Sequence, residues 1–176
     1  METSTTNQLF SKDDLKKLII PLLFEQALAI TVGMADTVMI SSAGEAAVSG
    51  VSLIDMFNNL IISVLAALAT GGAVVTSQFL GAGKKEDACK SAKQLIVSSV
   101  CITIGISILV MVFCNGIISL FFGKIEADVF HNAVIYMMIS ALSFPFLALY
   151  NSCAALFRSM GNSKITLKVS IVENII

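Results

Sequence analysis

Charge is what this sequence has least of. Asp, Glu, Lys and Arg make up 13% of its 176 residues, about half the share of an ordinary soluble domain. Residues 56–83, 94–123 and 129–157, runs of 28, 30 and 29, contain none of the four. Each run exceeds the roughly 20 residues that cross a bilayer's hydrocarbon as helix. A water-soluble domain with a polar surface is thereby excluded. The net charge of −1 offers no basic surface for a nucleic acid. Histidine is almost missing as well: His131 stands alone, with no second His to share a metal. Cys89, Cys101, Cys114 and Cys153 lie far apart with no C-x-x-C, which excludes zinc-ribbon and thioredoxin-type chemistry. They read as small apolar residues. A cleavable signal peptide is not expected, because residues 1–17 are polar and the apolar stretch after them is too long for a signal core.

What is present is a series of apolar helices. Residues 1–15 read as a polar tail, in which Ser11-Lys12-Asp13-Asp14 resembles a capped helix start. Spans are predicted over about 16–40, 51–80, 92–122 and 133–157, and a fifth begins at 164 and runs to 176. The fold class is therefore all-α, a polytopic transmembrane bundle with four complete spans and part of a fifth. With the N-terminus inside, the inner segments hold ten Lys or Arg residues and the outer loops only Lys124. That asymmetry predicts a multi-pass protein of the cytoplasmic membrane, N-terminus inside, embedded in the lipid bilayer. KITLKVSIVENII (164–176) has no closing turn, so the chain is expected to be part of a larger whole.

Polar residues inside spans carry the functional signal, since a carboxylate at mid-membrane costs about 2.5–3.5 kcal/mol or more. Glu25 and Asp36 are eleven residues apart, which brings them within about 20° of one helix face and about 16 Å apart along the axis. Such a face belongs towards a bundle interior or a wet cavity, unless each carboxylate snorkels to its nearer surface. Asp55 and Asn59 lie one turn apart and either share water or a cation, or form a polar cap at the outer surface. Ala69, Ala73, Ser77 and Gly81 recur every fourth residue and predict a close helix–helix seam. Pro145 removes one hydrogen bond from its helix and crowds the carbonyl of Ala141, so a kink is expected, tolerated in lipid where neighbours or water satisfy the freed carbonyl. Met34, Met138, Tyr150 and Asn151, with Glu25, are candidates for a cavity, because thioethers adapt to varied ligands and aromatic faces attract cations. The alternative is that they merely fill packed or lipid-facing positions.

LGAGKK (80–85) is not a phosphate loop, because Gln78 and Lys85 stand where that motif needs Gly and Ser or Thr. An intramembrane protease would need a nucleophile and base at depth, and the GxSxG and GxGD patterns are absent. A channel filter motif is absent too. Membrane carboxylates, small-residue seams and a proline-bearing helix are instead the parts of a secondary transporter, in which an acidic residue binds a proton or sodium ion.

PLLFEQ (21–26), GMADTVMIS (33–41), GEAAVSGVSL (44–53), ALATGGAVVTSQFLGAGKKEDA (67–88) and ALFRSMGNSK (155–164) together resemble the N-terminal lobe of the multidrug and toxic compound extrusion (MATE) family. The Q-x-L-G-A-G stretch at Gln78–Gly83 and the R-x-x-G-N turn at Arg158–Asn162 are its more specific parts. The resemblance implies a non-enzymatic, cation-coupled antiporter of two six-helix lobes, exporting organic, often cationic, compounds. It requires no cofactor beyond H⁺ or Na⁺ as coupling ion. It also implies that Asp36, in its G-x-x-D-T setting, takes part in ion coupling; Asp55 and Asn59, by their own spacing, are further ion-coupling candidates. The family's second acidic residue in this lobe falls on helix 5, and here the sequence reaches Glu173-Asn174-Ile175-Ile176 just short of it. Partners would then be the bilayer, small organic cations and the remaining helices of the full-length protein. Two alternatives stay open: a lipid-linked saccharide flippase of the same superfamily, which needs a basic cavity, and a non-transporting protein that packs against membrane partners.

Overall fold

Four glycines decide where the helices end. Gly44, Gly83, Gly123 and Gly161 have φ of 100°, 75°, 67° and 77°, a region that L side chains enter only with strain. Two of these turns close in the same way: the Lys84 N–H reaches the Phe79 carbonyl at 3.0 Å, and the Asn162 N–H reaches the Phe157 carbonyl at 2.9 Å. Each bond satisfies a helix-end carbonyl that would otherwise have no partner.

Between the turns run α1 (Lys12–Ser41), α2 (Glu45–Gly81), α3 (Lys85–Phe122), α4 (Ala127–Ser159) and α5 (Ser163–Ile175), with no strand among the described residues. This computed structural model describes residues 12–175 and the side chains of residues 15–172. The cap expected at Ser11 lies outside the described residues. Helices α2, α3 and α4 start six or seven residues earlier than the predicted spans. Their polar first turns are helical, and at 37 and 38 residues α2 and α3 are about 55 Å long, well over the roughly 30 Å of hydrocarbon. The charge-free run measures the lipid; the glycine turn measures the helix. Four of the helices are long and apolar enough to cross a membrane.

Helices α2, α3 and α4 pack against one another along their length, whereas α1 leans mainly on α5. One core cluster joins Ile54, Val110, Cys114, Ile118, Met137 and Phe144, and a second joins Ala69, Ala73, Leu95, Ala155 and Leu156. Ala69 and Ala73 thus form the expected seam, while Ser77 is half-buried and Gly81 exposed. Leu95 lies across the bare backbone of Gly72 in the same layer. Of the cysteines, Cys114 is buried in the core, Cys153 half-buried, and Cys89 and Cys101 exposed; all four are free.

Helix α4 continues through Pro145 without a break. The Ala141 carbonyl, which the proline leaves without its helical donor, accepts a hydrogen bond from Ser107 Oγ of α3 at 2.7 Å. Ser107 belongs to a buried row on α3 with Ser99 and Thr103, and the Thr103 hydroxyl donates to the Ser99 carbonyl one turn back.

Candidate functional site

The polar cluster of the bundle is built on α2 and α4. Ile54 and Phe57 turn one face of α2 into the core, which leaves Asp55 and Asn58 at its margin, both half-buried. On α4, Met137 and Ala141 are core residues, so Tyr136 and Ser140 meet α2 beside them. The Tyr136 hydroxyl donates to Asp55 Oδ1 at 2.9 Å. Asn58 Nδ2 donates to Ser140 Oγ at 3.1 Å. Both contacts join α2 to α4 beside the core. Asn58 Oδ1 is buried and has no partner among the described residues.

Asp36, on α1, is exposed. Asn59, the neighbour expected beside Asp55, is exposed, and its backbone carbonyl accepts from Ser63 Oγ at 2.7 Å.

The remaining candidates fall elsewhere. Met34 and Met138 are exposed, and Tyr150 and Asn151 are half-buried, with Asn151 Nδ2 donating to the Leu147 carbonyl one turn back at 3.0 Å. Glu25 meets Arg158 across α1 and α4, Oε1 to Nη1 at 3.5 Å. A cavity of about 240 Å³ opens between α2, α3 and the end of α4, lined by Thr76, Leu80, Ala88, Cys89, Leu156 and Met160. No group of three His, Cys, Asp or Glu residues that could hold a metal occurs among the described residues.

Asn58 and Tyr136 were visible in the sequence as polar residues of their spans, but their pairing with Ser140 and Asp55 was not. Their partners are more than 80 positions away, and the only local signal was a tyrosine and a serine one turn apart on an apolar helix.

Comparison with known proteins places this geometry in a family. The MatE family model matches residues 21–176. The chain is 32% identical over 156 residues to an uncharacterized transporter, YisQ of Bacillus subtilis (strain 168), covering 89% of this chain and 34% of that protein. It is 24% identical over 168 residues to a probable multidrug resistance protein, NorM of Thermotoga maritima, covering 93% of this chain and 35% of that one. The chain thus spans about a third of the length of the relatives it matches. Among solved structures, a MOP superfamily transporter from Pyrococcus furiosus, described as having a binding pocket of reversed polarity, superposes with a TM-score of 0.83 at 18% identity. That likeness covers 92% of this chain and 35% of the other and bears on the fold. With its family model matched across most of the sequence and its apolar helices in the same arrangement as a solved transporter, the chain belongs to the MatE family of multi-pass membrane transporters.

Proposed function

We propose that this chain is the leading part of the N-terminal lobe of a cation-coupled antiporter that exports organic, mostly cationic, compounds across the cytoplasmic membrane. The observation that carries the reading is a carboxylate inside each of two apolar spans, Asp36 on α1 and Asp55 on α2, the latter hydrogen-bonded by Tyr136 of α4. Neutralising Asp55 with H⁺ or Na⁺ would alter its bond to Tyr136, and neutralising Asp36 would remove the charge that α1 carries within the membrane. An ionised Asp36 favours a conformation open enough to hydrate it. Once it is neutral, α1 is free to repack, and the organic cation that it attracted is released outward. A ligand shifts such an equilibrium only through its different affinity for the two states, and the carboxylate supplies that difference.

The Lys and Arg asymmetry supports an inner N-terminus. The rest of the coupling site and the substrate cavity are expected from the remaining helices of the full-length protein. The flippase alternative needs an unpaired basic cavity, and the one arginine of the chain already faces Glu25.

The test is Asp36→Asn in the complete transporter, with efflux of a fluorescent organic cation followed under sodium and pH gradients varied separately. Loss of gradient-driven efflux supports the reading. Efflux and coupling equal to the wild type reject it.

A further inference from the structure

Helix α1 is gripped unevenly. Pro21 is buried and Leu18, Leu22 and Glu25 are half-buried, while from Gln26 to Met39 only Leu28 and Val32 escape full exposure. Within the gripped third a polar contact joins α1 to α4: Glu25 Oε1 lies 3.5 Å from Arg158 Nη1, with the side chains 15% and 34% exposed. The second oxygen, Oε2, is buried without a partner among the described residues. Removing the guanidinium would leave a sheltered carboxylate unpaired, which is far costlier than losing an exposed ion pair. Pro21 sits one turn from Glu25, so the proline's immobile ring and the ion pair fix the same short segment. Arg158 in turn stands in the last turn of α4, directly before the Gly161 turn into α5, the helix on which α1 leans.

We infer that the Glu25–Arg158 ion pair is the fixed point of α1. It is a positioning pair that holds the inner third of the helix on α4 while the outer portion, which carries Asp36, is displaced. The inference rests on the reading that neutralising Asp36 moves α1, and it adds where that motion is anchored. Glu25 is accordingly an anchor whose charge is compensated by Arg158; it does not take the organic cation. An ion pair that had to open in every cycle would expose both charges in a low-dielectric region each time, whereas a permanent pair incurs that cost once, on folding.

The experiment uses the complete transporter with Cys89, Cys101, Cys114 and Cys153 replaced by serine, in proteoliposomes, with spin labels placed in pairs. One pair, at Leu23 and Met160, reports on the inner end, and the other, at Val38 and Ile139, on the outer; all four positions are exposed. Lowering the pH or adding sodium is expected to shift the outer distance and leave the inner one at a single narrow value. In Glu25→Gln the inner distance spreads into several populations, and the exchange Glu25→Arg with Arg158→Glu restores one. An inner distance that shifts with the cation as far as the outer one overturns the fixed point, as does an inner distance unchanged by Glu25→Gln. The two readings fail separately. If only the inner distance responds to the cation, the anchor is lost and coupling stands; if Asp36→Asn still couples but the inner pair stays fixed, the coupling role is lost and the anchor stands.

Discussion

Ser107 of α3 donates its hydroxyl to the carbonyl oxygen of Ala141 on α4, 2.7 Å away. Ala141 is the residue whose carbonyl Pro145 strips of its helical partner. The serine and the proline, 38 positions apart, therefore form one unit: the proline creates an orphan acceptor at membrane depth, and the serine satisfies it from the next helix.

Ser107→Ala should lower stability by about 1 kcal/mol, the range of a buried unsatisfied group set against the modest hydrogen bonds measured between membrane helices. In a Pro145→Ala background the substituted position regains an N–H that can reach the Ala141 carbonyl itself, so the same serine change should cost almost nothing. A double-mutant cycle read by unfolding in mixed detergent measures the difference. Equal costs in both backgrounds would show that the two residues act independently.

Tyr136→Phe removes the donor to Asp55 while keeping the ring. We expect gradient-driven efflux to fall about tenfold, equivalent to about 1.4 kcal/mol, with the amount of protein in the membrane unchanged. A phenylalanine variant that transports as well as the wild type would place the phenol outside the coupling path.

Gly50 and Gly105 are both helical glycines, yet they should respond in opposite directions. A Cβ on Gly50 would meet the Ala133 nitrogen and the Val129 oxygen at 3.0 Å, both rigid backbone, whereas nothing stands within 4 Å of Gly105. Gly50→Ala should cost about 1–3 kcal/mol by forcing α2 from α4. Gly105→Ala should be neutral or stabilising by up to about 1 kcal/mol, because it lowers the entropy lost on folding. Thermal melting of the two variants side by side decides the matter.

Gly161→Ala places a Cβ where φ is 77° and should cost about 1–2 kcal/mol. Because Arg158 lies three residues before it, the change should also broaden the inner spin-label distance described above. A loss of stability with no change in that distance would separate the turn from the anchor.

How far the sequence alone reached follows from which forces are local. The spans at about 51–80, 92–122 and 133–157 were legible from their charge-free runs, because lipid excludes charge wherever the chain crosses it. Helix starts at Glu45, Lys85 and Ala127 were not, since a helix that leaves the bilayer keeps its backbone bonds and merely changes its side chains. Asp36 and Asp55 were legible as carboxylates too costly to place in a span without a reason. The bond of Asp55 to Tyr136 was not, nor the pairing of Glu25 with Arg158, because which helix faces come together is decided by packing between distant segments, as of Ile54 on α2 with Met137 and Ala141 on α4. The row of Ser99, Thr103 and Ser107 on α3 repeats every fourth residue, as Ala69 and Ala73 do on α2, and could have been found by the same search.

The grouping of helices has a mechanical corollary. Helices α2, α3 and α4 share their cores while α1 rests on α5, and the covalent links from the slab of three to the flank of two are the turns at Gly44 and Gly161. One of those tethers sits at the far end of α1 from Glu25, and the other sits three residues past Arg158. For the proposed motion of α1, the anchored end would serve as the hinge, and the Gly44 turn at the other end would limit how far the helix travels.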